Sequence, residues 1–84
     1  MNLIFLKEKE QFKKLKKGDF ILVKWSDDYV KHHQLKNNLG GFTIDKIQGI
    51  RNEVICCIKR NLYFNYSIYL KGKSVAKEIY FVEE

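Results

Sequence analysis

The sequence predicts one small domain, mainly β, built as a barrel of five or six antiparallel strands with a short N-terminal helix or turn. Three observations predict it. Residues 20–25, 53–59 and 62–70 are rich in β-branched and aromatic side chains, and the last of them alternates at a period of two. Turn formers punctuate the chain at short intervals, at Gly18-Asp19, Gly40-Gly41, Asn52, Asn61 and Gly72. The chain has 84 residues, enough for one domain over 1–84 and no more.

Taken in order, residues 2–6 are apolar and end in a charged run, which fits a short first strand. Residues 7–17 have helix-forming composition, with Phe12 and Leu15 three apart as a single turn of buried stripe. No Ser, Thr, Asp or Asn stands where an N-cap belongs, and Gly18 ends the segment. In the strand at 20–25, Ile21, Val23 and Trp25 share one face, and Phe20, Leu22 and Lys24 share the other. Both faces are largely apolar, so both are expected to be covered. Residues 26–41 read as a long loop whose middle has room for a helical turn. Strand 42–47, turn 48–52, and a hairpin of strands 53–59 and 62–70 follow, with Tyr63 and Tyr69 outward and Leu62, Phe64, Tyr66, Ile68 and Leu70 inward. Ser74 caps a one-turn helix through Lys77, and residues 78–82 form the last strand.

The stretch from Leu15 to Trp25, in which a Gly-Asp turn feeds an alternating strand, resembles the first strand of SH3-like small barrels. The long loop after it, the central hairpin and a one-turn helix before the final strand fit the same plan over about residues 15–82. The resemblance implies an SH3-like small β-barrel, from which the segment 2–14 departs as an addition. It implies no function, because one fold hosts many.

Composition bounds the function. The chain is 45% hydrophobic and 14% aromatic, which a packed core requires and a disordered chain lacks. The longest N-terminal apolar run is four residues, Leu3 to Leu6, too short for a signal peptide or a membrane span. Cys56 and Cys57 are adjacent on one strand, so they point to opposite faces and form no disulfide framework. These features predict a cytoplasmic protein without membrane contact.

The net charge is +6. A basic balance favours an anionic partner, nucleic acid first. However, the excess is fourteen Lys against two Arg, and Lys, Asn, Ile, Phe and Tyr fill 40 of the 84 positions. Those residues have AT-rich codons, and coding bias raises the charge without selecting a ligand. Readers of phosphates and bases lean more on the bidentate arginine fork.

Catalytic chemistry has little material, and neither a cofactor nor an enzyme activity is expected. His32 and His33 stand near Asp27 and Asp28, but adjacent histidines lack metal-ligand spacing and are better read as exposed loop residues. Asn38-Leu39-Gly40-Gly41 is a turn and not a phosphate loop.

What remains is a binding module. Lys13, Lys14, Lys16 and Lys17 precede the strand that carries Lys24, while Lys59, Arg60, Tyr63 and Tyr69 lie on the hairpin's turn or outer face. Lysines along a groove with outward tyrosines can hold nucleic acid by phosphate contact and base stacking. The simpler account is solvated lysines, with tyrosines covering a barrel and Trp25 in its core. The alternative function is a small protein-interaction module or inhibitor that docks through the 26–41 loop or a strand edge. By analogy with small interfering barrels, such a protein is expected to be encoded by a mobile element or phage. Apolar residues on both strand faces also leave room for a homodimer.

Overall fold

A computed structural model describes residues 2–32, 41–57 and 62–83. They form β1 (Asn2–Phe5), α1 (Lys9–Lys13), β2 (Phe20–Trp25), α2 (Asp27–His32), β3 (Phe42–Arg51), β4 (Val54–Cys57), β5 (Leu62–Asn65), α3 (Tyr66–Leu70) and β6 (Ala76–Glu83). The strands make one antiparallel sheet of order β1-β6-β2-β3-β4-β5.

β2 organises the core. Ile21 and Val23 are fully buried and Trp25 is 2% exposed. They pack with Ile47 on β3, Ile55 and Cys57 on β4, Phe64 on β5, and Ala76 and Ile79 on β6. Burying a side chain of this size contributes about 1.5–3 kcal/mol. The indole N–H of Trp25 donates to Thr43 Oγ1 at 2.7 Å, and that hydroxyl donates to Asp45 Oδ2 at 2.8 Å. Asp45 is only 1% exposed, and the bond from Thr43 contributes to solvating its buried carboxylate.

The helices close the core's open end. α1 begins without a short polar cap, as the sequence predicts, yet the amides that lead into it are satisfied. The Gln11 carboxamide oxygen accepts from the N–H groups of Lys7 and Glu8, and its NH2 donates to the Phe5 carbonyl. α1 thereby presents the fully buried Phe12, which stacks on Tyr66 at 4.8 Å between centroids and meets Tyr69 edge-on at 5.7 Å. Gly18, at φ +95, turns the chain so that its N–H reaches the Ile47 carbonyl and Asp19 lines up with β3.

Several sequence expectations are corrected. The six antiparallel strands are present, but the sheet is not closed into a barrel. β1 occupies the second edge of β6, so β6 has no edge left for β5. The strand expected over 62–70 ends at Asn65, whose side chain accepts from the N–H groups of Ser67 and Ile68 and starts α3. A helical period then replaces the alternation, bringing Tyr66 and Tyr69 inward and leaving Ile68 47% exposed. Of the turn expected at 48–52, residues 48–51 instead continue β3, whose register with β4 shifts between Ile47 and Gly49. The reversal falls on Asn52 and Glu53, both at positive φ, as a two-residue type I′ hairpin turn requires. Ser74 accepts from the Ala76 N–H and starts β6, in place of the expected one-turn helix over 74–77. The room for a helical turn in the 26–41 loop is filled by α2, while residues 33–40, including His33, lie outside the described residues.

Candidate nucleic-acid interface

The face of β2 expected to be covered is open. Strand register places opposite residues on the same side of a sheet, so the side turned from the core can be read directly. On β2 and β3 it carries Phe20 opposite Lys46, Leu22 opposite Ile44, and Lys24 opposite Phe42. β6 adds Tyr80 and Val82, and β1 adds Leu3 and Phe5. Leu3 is 50% exposed, Phe5 44%, Phe20 38% and Ile44 51%. A single exposed apolar residue means little, whereas these stand beside one another across four strands and leave an apolar sheet face to solvent.

Two cation–aromatic pairs stand on this face. The ammonium of Lys46 lies 5.7 Å from the centroid of the Phe20 ring, and that of Lys24 lies 5.7 Å from the centroid of Phe42. Their similarity has a sequence origin. β2 reads Phe20-Ile-Leu22-Val-Lys24, and β3 reads Phe42-Thr-Ile44-Asp-Lys46. Both are Phe, apolar, Lys at every second position. Antiparallel pairing with Leu22 opposite Ile44 sets each phenylalanine against the other strand's lysine.

The two lysines differ in their neighbours. Lys24 also lies 3.6 Å from Glu78 Oε2, and the Tyr80 hydroxyl donates to the same carboxylate. The Tyr80 bond holds the Glu78 carboxyl below its ordinary pKa; partial burial opposes this and Lys24 reinforces it. The same bond raises the Tyr80 phenol above its ordinary value. Glu78 is therefore an anion on the face at neutral pH, and Lys24 is partly neutralised by it.

The residues singled out from sequence divide into groups. Lys16 and Lys17 are exposed in the turn that enters β2, at the end of the sheet where Phe20 faces Lys46. Lys24 is on the open face. Lys13 is on α1, 3.3 Å from Glu10. Lys14 lines a cleft of about 260 Å³ between α1 and the β1–β6 edge, with Ile4, Leu6, Leu15 and Phe81. Tyr63 is 63% exposed on β5 and shares the sheet's outer side with Cys56, away from β1, β6 and β2. Lys59 and Arg60 lie outside the described residues. Tyr69 is a correction. It is 7% exposed, donates to the Leu6 carbonyl at 2.8 Å and accepts from the Ile79 N–H at 3.0 Å. The helical turn of α3 rotates it into the core, where burial raises its phenol's pKa despite the bond from Ile79. It can stack on no ligand.

The sequence does not single out Phe20, Phe42 and Lys46 as candidate site residues. The repeated Phe-x-(Leu or Ile)-x-Lys pattern was visible, but the register that pairs its two copies was not.

Elsewhere the chemistry is thin. Cys56 is half-buried, Cys57 is buried, and neither is in a disulfide. Among the described residues no group of three or more His, Cys, Asp or Glu side chains is placed to hold a metal, and no helix is long and apolar enough to cross a membrane. No protein-family model, curated protein or solved structure matches the chain.

Proposed function

We propose that the chain is a non-enzymatic binding module for nucleic acid, with its ligand on the open face of β1, β6, β2 and β3. One observation carries this reading: the two lysine–phenylalanine pairs that strand register sets side by side on an exposed sheet surface. Aromatic rings offer stacking, and ammonium groups offer phosphate contact. The exposed Lys16 and Lys17, next to the Phe20–Lys46 end, extend the cationic surface. We read the fold as SH3-like. Its support is the run β2-β3-β4-β5 of successive neighbours, a helical turn, and a last strand returning beside β2. On this plan β1 is an appended strand that widens the face.

The test is fluorescence anisotropy with labelled 20-nucleotide probes, single-stranded and duplex, between about 50 and 200 mM salt. Binding is expected to weaken along a straight line in log salt, with a slope of about 0.7–0.9 per phosphate neutralised. Combining Lys16→Glu, Lys17→Glu and Lys46→Glu should cost at least about tenfold and flatten that slope. Absence of binding to either probe at the lowest salt would remove the proposal.

A protein partner is the second reading, favoured by the half-exposed aliphatics Leu3 and Ile44 on the same face. It predicts capture of a partner that survives nuclease treatment and is lost in Ile44→Asp.

A further inference from the structure

We propose that this face selects single-stranded over double-stranded nucleic acid, with bases laid against Phe20 and Phe42 and phosphates against Lys46 and the neighbouring Lys16 and Lys17; the inference rests on the nucleic-acid reading above.

What the face must have covered decides between ligands. Its centre is apolar, with Leu22 opposite Ile44, and its flanks are the two Phe–Lys pairs. Covering such a surface gains free energy only if the ligand brings apolar or aromatic area to it. Duplex DNA keeps its base faces stacked inside and presents phosphates outward, about one charge per 1.7 Å of axis. Laid on a duplex, Leu22, Ile44, Phe5 and Leu3 would meet charged backbone. A single strand has base faces to offer.

Shape points the same way. A helix or a two-stranded ribbon fits the major groove, which is about 12 Å wide. Four adjacent strands span about 14 Å across at a spacing of about 4.8 Å, so the sheet cannot enter edge to edge. Sequence readout through the groove is thereby closed to this face.

Charge complementarity sets the polarity of the two flanks. Phe20 and Lys24 are four residues apart on β2, about 13 Å along the strand. The Phe20–Lys46 flank continues into Lys16 and Lys17. The Phe42–Lys24 flank carries Glu78, 3.6 Å from Lys24. Densely spaced duplex phosphates would be held off by that carboxylate, while a pliable single strand can place a base there and its phosphates elsewhere.

The experiment titrates the full chain with a 15-nucleotide oligo-dT and a 15-base-pair duplex at about 100 mM salt, alongside a Phe20→Leu/Phe42→Leu double variant. Leucine keeps the face apolar and removes the stacking surface. The wild type is expected to bind the single strand at least about tenfold more tightly than the duplex. The double variant should lose about 10–100-fold on the single strand, with duplex binding and salt slope unchanged. A thermal melt verifies folding, and Phe20→Leu alone reads the first flank should the double variant melt early. Equal or tighter duplex binding, or single-strand affinity untouched by the leucines, overturns the inference and leaves the nucleic-acid reading standing. Binding to neither probe removes that reading itself, and this one with it. A dimer in sedimentation velocity that the double variant dissociates would assign the face to a second copy of the chain and overturn the inference.

Discussion

Ile21 and Ile44 stand on neighbouring strands, one register step apart, and live in opposite environments. Ile21 is fully buried on the core side, while Ile44 is 51% exposed on the other. The same division runs through the whole of β2, between Ile21, Val23 and Trp25 on one side and Phe20, Leu22 and Lys24 on the other. Composition alone does not separate the two sides, since both are apolar. What separates them is the supply of covering elements. α1 and α3 both close over the core side through Phe12, Tyr66 and Tyr69, and the described chain has no third layer for the other side. The three short helices of the described residues are too little to cover both faces of a six-strand sheet. The uncovered face is therefore the one on which the proposed ligand would bury apolar area.

This contrast can be broken most sharply at the two isoleucines. Ile21→Asp should unfold the domain, costing more than about 4 kcal/mol, because it buries an unpaired carboxylate opposite the already buried Asp45. Ile44→Asp should stay folded, within about 1 kcal/mol of the wild type by urea denaturation. If both variants unfold, the second face is covered after all.

The two tyrosines give the next largest effect. Tyr69→Phe removes the hydroxyl that joins the Leu6 carbonyl to the Ile79 N–H and should cost about 2–4 kcal/mol. Tyr63→Phe should cost less than about 0.5 kcal/mol. A pH series separates them further. Burial raises the folded-state pKa of Tyr69 above the ordinary 10.0, so its contribution is whole below pH 10.0 and is lost as pH rises through the folded value. The wild type should lose stability above pH 10.0 more steeply than Tyr69→Phe. Tyr80, raised mainly by its bond to Glu78, contributes in the same direction to both proteins.

The smallest effect is at the β3–β4 turn. Glu53 has φ 67, which costs a residue with a Cβ about 1–2 kcal/mol. Its ion pair with Lys9, at 3.3 Å, returns at most about 1 kcal/mol. Glu53→Gly should raise Tm by about 2–4 °C, the gain being trimmed by the entropy glycine adds to the unfolded chain. No rise would place the turn's strain elsewhere.

Much of this was legible in the residues themselves. The inward set of β2, the hairpin of β4 and β5, buried Phe12 and the opposed cysteines all follow from a period of two or a single helical turn. What was not legible depends on competition between local signals. Residues 62–70 alternate well enough for a strand, but Asn65 can cap a helix, and the packing of Tyr66 and Tyr69 on Phe12 decides between them. That choice reversed the fate of Tyr69. The candidate site was half legible. Lys16, Lys17 and Lys24 could be picked from the charge pattern, while Phe20, Phe42 and Lys46 needed the β2–β3 register. A sheet's open face is likewise invisible to a pattern that is apolar on both sides.

The placement of β6 bears on how the chain folds. β6 lies between β1 and β2, pairing Phe5 with Tyr80 on one side and Leu22 with Tyr80 on the other. During synthesis β1 leaves the ribosome well before β6, its neighbour in the described sheet. β1, with its exposed Leu-Ile-Phe, must wait unpartnered until residues 76–83 have emerged. Such long-range closure is slow compared with hairpin formation. Nascent chains stalled before residue 76 should expose β1 to proteases and chaperones, and protection should arrive in one late step.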